Sequence, residues 1–141
     1  MADWMPTLTF NDIARHQSKM VNTKVVSKLS PWFSKVKLGE EFTIPISHGE
    51  GKFVANEETM QELIKNGQIA TQYIDLDGNA SMDIEYNPNG SIYAVEGITS
   101  KDGRILGKMG HSERSYRSDI LKNVLGNKDQ KIFASGVEYY C

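Results

Sequence analysis

Gly103-Arg104-Ile105-Leu106-Gly107-Lys108-Met109-Gly110-His111-Ser112-Glu113-Arg114 decides how the chain reads. Asp102-Gly103 is a turn signal, and the apolar run at 105–109 reads as a strand. Residues 92–99 are rich in β-branched and apolar side chains and read as a central strand. The two runs predict a hairpin closed at Lys101-Asp102-Gly103, which carries His111 and Glu113 out from the body of a sheet. In extended chain, residues i and i+2 point to one side. Glu113 could therefore accept from one nitrogen of His111 and leave the other for proton transfer. Taken alone, His-x-Glu is common, and a solvated pair just past a strand end is its commoner meaning.

Working outward, residues 7–10 form a candidate short strand, with a turn or cap at Asn11-Asp12. Residues 19–27 predict a strand with Val21, Thr23 and Val25 facing the core, stopped by Ser30-Pro31. Residues 41–47 predict a second strand with Phe42, Ile44 and Ile46 on one face, and Pro45 assigns it to an edge or a bulge. Directly after it stands His48-Gly49-Glu50-Gly51, a second His-x-Glu after a strand. Its glycines permit unusual backbone angles and close approach of a ligand. Asn56 as N-cap, Glu57-Glu58, the stripe Met60, Leu63, Ile64 and the stop Asn66-Gly67 predict a helix over 57–66. A strand at 68–75 and turns at Asp77-Gly78-Asn79 and Asn87-Pro88-Asn89-Gly90 follow. In the tail, helices are possible at 119–125 and 129–135.

At 141 residues the chain is one domain, long enough to bury a core. A net charge of -2 and the lack of a basic stripe with interleaved aromatics argue against a nucleic-acid partner. No apolar run approaches a membrane span and no signal-peptide pattern opens the sequence. The single cysteine, Cys141, is the last residue, so there is no intrachain disulfide, which fits a reducing cytoplasm.

Three chemistries fit these residues. His16, His48 and His111 with nearby carboxylates could hold a metal, although their spacing matches no zinc motif. The glycine-flanked loop could belong to a binding module with no chemistry. In acyl transfer, His111 would be the base and Glu113 its orienter. That scheme lacks a nucleophile: there is no Gly-x-Ser-x-Gly elbow, and the only thiol sits at the terminus.

Read together, three stretches carry a family resemblance. His48-Gly49-Glu50-Gly51-Lys52-Phe53, Asn87-Pro88-Asn89-Gly90-Ser91 and residues 103–114 resemble, in order and separation, one glutaminase domain. It is the C-terminal domain of phosphoribosylformylglycinamidine synthase, a triad-type (class I) glutamine amidotransferase. Arg15-His16-Gln17-Ser18-Lys19-Met20-Val21-Asn22 resembles the clostridial-type version of the segment before the first core strand.

The resemblance covers almost the whole chain. It implies an α/β fold, here a strand-rich fragment, with residues 1–141 as the C-terminal part of the glutaminase domain and the nucleophile-bearing half outside them. In that family a Cys attacks the glutamine carboxamide, a His moves protons and a Glu orients the His. These last two roles carry over to His111 and Glu113, and residues 48–51 to a loop near the glutamine site. No metal is implied for this part. ATP and magnesium belong to the synthetase part, and the implied partners are glutamine and the rest of the synthase.

The family's Met-Pro-His-Pro-Glu-Arg stands here as Met-Gly-His-Ser-Glu-Arg. Losing both prolines is expected to loosen the backbone around the pair. The isolated chain is expected to be inactive and to self-associate through surface left open by the missing half. A non-enzymatic binding domain on the same fold is the alternative reading.

Overall fold

The computed structural model describes residues 5–115 and 121–141. It is a strand-rich α/β fold in which every strand pairing is antiparallel. Strands β1 (Thr7–Thr9) and β4 (Lys52–Val54) form a two-stranded ribbon. Strands β2 (Gln17–Val25), β3 (Glu41–His48), β5 (Ile69–Tyr73), β6 (Val95–Thr99) and β7 (Leu106–Lys108) form a sheet in the order β3-β2-β5-β6-β7.

The alternation read in residues 19–27 holds. Val21, Thr23 and Val25 are buried, although the strand begins two residues earlier than expected and ends at Val25. Phe42, Ile44 and Ile46 of β3 meet them, and Phe33 and Ile132 complete this side of the core. Pro45 lies on an edge strand, as its missing N–H requires. The outer side of β3 is partly paired by single contacts: Thr43 N donates to Asn127 O at 2.7 Å, and His111 N to Pro45 O at 2.8 Å.

A second core cluster gathers Met60 and Leu63 of helix α1 (Glu57–Lys65) against Phe53, Ile69 and Val95. Asn56 caps α1 by accepting from Thr59 N at 2.8 Å. At the other end Gly67, at φ +69°, donates to Ile64 O and Gln68 N donates to Leu63 O, a Schellman stop. The helix therefore starts and stops where its sequence signals place it.

Three expectations shift. The strand foreseen over 92–99 is β6 only from Val95; Ile92–Ala94 is a 3-10 turn with Tyr93 and Ala94 at positive φ. Here the local β propensity loses to the Asn87–Ser91 turn, whose Asn87 side chain bonds Ser91 N and O and so fixes the chain's exit direction. The tail helix foreseen at 129–135 is α2, Ile132–Tyr140, because Lys131 takes a left-handed conformation and its N–H goes to the Asp129 carboxylate. Of the helix foreseen at 119–125, the first two residues lie outside the described residues, and 121–125 hold no α-helix. The hairpin at 102–103 holds, with Thr99 opposite Leu106 and Gly97 opposite Lys108.

Helix α2 docks where Gly136 meets Trp32. A Cβ on Gly136 would lie 2.2 Å from the indole ring. The Tyr140 ring lies 5.6 Å from Trp32 on the same side. Among the described residues no helix is long and apolar enough to cross a membrane.

Candidate active site

His111 follows β7 by three residues and caps a 3-10 turn, Ser112–Arg114. Its Nδ1 lies 2.6 Å from Glu113 Oε1. The pairing is expected from i, i+2 spacing in extended chain, but here it is the tight turn that brings the carboxylate back to Nδ1. Because Glu113 accepts, the proton sits on Nδ1 and the lone pair of the neutral ring on Nε2. Nε2 is shut off from solvent and has no hydrogen-bond partner among the described residues. Desolvation opposes the charge on Glu113, but the bond from His111 and the nearby Arg114 hold its carboxyl below the usual range.

His48, at the end of β3, stacks on His111 with centroids 5.1 Å apart and 12° between the planes. Its Nε2–H donates to the Met109 carbonyl. Burial, and to a smaller degree the neighbouring His111, lower the pKa of His48, so the neutral form is favoured. Glu50 does not pair with His48; it is exposed, with no ion pair among the described residues. The second His-x-Glu thus differs from the first: one member joins the site and the other faces solvent.

The loop 48–51 is held by a residue that sequence reasoning placed only in a turn. Asn11 is buried, and its side chain donates to His48 O at 2.7 Å and accepts from Gly51 N at 2.9 Å. Its own N–H donates to Gly49 O at 3.0 Å. Gly51 is required by close packing: a Cβ there would sit 2.6 Å from Asn89 Nδ2. That amide donates to the buried Tyr73 hydroxyl at 3.0 Å. All three motif stretches are therefore in contact, through Asn89 against Gly51 and His48 against His111.

The backbone around the pair, which lacks the family's two prolines, is tied by hydrogen bonds. Met109 N donates to Glu96 O at 3.0 Å, Gly110 N to Glu96 Oε1 at 2.5 Å, and His111 N to Pro45 O at 2.8 Å. Ser112 Oγ bonds Gln130 at 2.5 Å. Glu96, missed at the level of sequence, was signalled there only as a lone carboxylate in an apolar strand. The pair faces a cleft of about 690 Å³ bounded by Trp32, Leu106, Ile132 and Phe133. Among the described residues no three His, Cys, Asp or Glu side chains converge as a metal-ligand set, and His16 bonds Ser47 Oγ at 3.0 Å. Cys141 is exposed at the end of α2.

A profile of the CobB/CobQ-like glutamine amidotransferase domain matches residues 2–140. The chain belongs to this family. Relatives named phosphoribosylformylglycinamidine synthase subunit PurQ share 38% identity over 133 residues in Methanosarcina acetivorans and 41% over 101 residues in Methanococcus maripaludis. The first alignment covers 94% of this chain and 54% of the relative; the second covers 67% and 38%. The chain thus spans about half the length of the curated relatives it matches. The fold also matches a chain of the solved structure titled PurLQS from Thermotoga maritima, with TM-score 0.72 and 23% identity, over 100% of this chain and 56% of that one.

Proposed function

We propose that this amidotransferase chain is the acid–base part of a glutaminase serving phosphoribosylformylglycinamidine synthase in purine biosynthesis. One observation carries the reading: Glu113 holds His111 Nδ1, while Nε2, shut off from solvent, has no partner among the described residues, and the pair borders a cleft. In this reading a cysteine thiol from outside these 141 residues docks at Nε2. His111 takes the thiol proton as sulfur bonds the glutamine carboxamide carbon, then gives it to the nitrogen as the C–N bond breaks and ammonia leaves. Water then hydrolyses the thioester to glutamate. Glu113 fixes the tautomer and stabilises the imidazolium. His48 borders the cleft, and the loop it opens, His48, Gly49, Glu50 and Gly51, would lie near the glutamine site.

ATP and magnesium act in the synthetase part, where ammonia is used to amidate formylglycinamide ribonucleotide. The relatives' greater length supports placing the nucleophile in the other part of a class I domain. The segment Arg15 to Asn22 supports assignment to the clostridial-type version. Self-association of the isolated chain would use β7, the sheet edge opposite β3, though three residues are a short template for pairing.

The test is His111→Ala in the assembled synthase. Glutamine-dependent turnover should vanish while ammonia-dependent turnover survives; loss of both would assign His111 a structural role. The 141-residue chain alone should release no glutamate from glutamine, and release abolished by Cys141→Ser would instead make the terminal thiol the nucleophile.

A further inference from the structure

Glu96 sits in β6 between Val95 and Gly97, and its side chain is 0% exposed. A carboxylate there has lost its water, which costs several kcal/mol before any partner is counted. Three donors surround the carboxylate, and a fourth reaches the residue's main chain. Lys108 Nζ lies 2.9 Å from Oε1 and Gly110 N 2.5 Å from the same oxygen. Thr71 Oγ1 donates to Oε2, and Met109 N donates to the main-chain carbonyl at 3.0 Å. Lys108 also donates to Gly110 O at 3.0 Å. Glu96 therefore grips two consecutive amides immediately before His111. A buried ion pair of this kind is no better for stability than apolar side chains of the same volume, so stability alone does not call for it.

We propose that Glu96 is a positioning residue for His111, and that Glu96 and Gly110 together replace the backbone restraint a proline at 110 would supply. This rests on the reading of His111 as the base. Proline cannot take this place: it has no N–H for Glu96, and the Cβ of residue 110 would fall 2.0 Å from Ile44 Cδ1. Glycine admits the Ile44 side chain, and the Glu96 carboxylate then fixes the peptide that glycine leaves free. Thr71 stands at a bulge in the β5–β6 pairing, and its hydroxyl anchors the far oxygen of the carboxylate.

The test has two independent arms, on Glu96→Gln and Glu96→Ala. In the 141-residue chain, amide exchange at Gly110 should quicken about 10-fold or more relative to the amides of α1, and the Nδ1–H resonance of His111 should shift or broaden. If Glu96→Ala does not fold, Glu96→Gln, which keeps the volume, decides. Unchanged Gly110 exchange and His111 resonance in a folded variant would overturn the proposal. In the assembled synthase, kcat with glutamine should fall about 10- to 100-fold in Glu96→Gln, with KM within about twofold and ammonia-dependent turnover kept. An equal loss of ammonia-dependent turnover, or an unchanged kcat, would also overturn it. If the unmodified synthase shows no glutamine-dependent turnover, the glutaminase reading fails, while the exchange arm still decides whether Glu96 holds His111.

Discussion

His48 lies flat against His111, 5.1 Å between ring centroids, and donates its Nε2–H to the carbonyl of Met109 two residues earlier. The second imidazole is thus bound to the first by a stack and by the backbone that carries it. A proton on His48 would place a charge in a desolvated position facing His111, which is why its pKa is lowered by burial first and by His111 after it.

This gives a sign for the pH dependence of stability. The unfolded chain takes up a proton at His48 near pH 6.5, the folded chain only below that. Stability from neutral His48 is complete above about pH 6.5 and falls as the pH drops below it. In His48→Gln, which can still donate to Met109 O, the urea midpoint should change less between pH 7 and 5 than in the parent chain. An unchanged slope would remove His48 from the explanation.

Glu96 and Lys108 should behave as a unit. Despite the desolvation that opposes its charge, the lysine and the bonds from Thr71 and Gly110 hold the Glu96 carboxyl below its ordinary pKa. Lys108→Met strands that charge and should cost about 3–5 kcal/mol. Glu96→Gln with Lys108→Met should cost less than Lys108→Met alone. A double-mutant cycle by chemical denaturation measures the difference, and strict additivity would mean the two side chains are uncoupled.

Asn11 holds the 48–51 loop through its side chain and its main chain. Asn11→Ala leaves His48 O and Gly51 N without their side-chain partner, at a cost of about 1–3 kcal/mol. Amide exchange at Gly51 should quicken more than exchange in α1. Equal acceleration everywhere would show only global destabilisation.

Gly136→Ala tests the docking of α2. The added methyl meets the Trp32 ring at 2.2 Å, so the helix or the indole must move, at a cost of about 1–3 kcal/mol even though alanine favours helix. Trp32 fluorescence should shift and the thermal midpoint fall. A higher midpoint would mean that helix propensity outweighs the contact.

Wherever neighbouring residues decide the outcome, the chain could be read directly. The stop at Gly67, the cap at Asn56, the alternation of Val21, Thr23 and Val25, and the turn at Gly103 depend on a few adjacent side chains and their own φ and ψ. The His111–Glu113 pair is equally local, two residues apart, although extended chain was the wrong geometry for it. Sequence could not show that Asn11 reaches across 37 positions to His48, that the two His-x-Glu runs divide into one pair and one stack, or that Glu96 grips the peptide before His111. Those contacts exist only after β3, β6 and β7 are placed in one sheet. A buried carboxylate is marked in sequence only by its lack of fit with an apolar strand, and its partners, Thr71, Lys108 and Gly110, are chosen by register and by a bulge rather than by spacing along the chain.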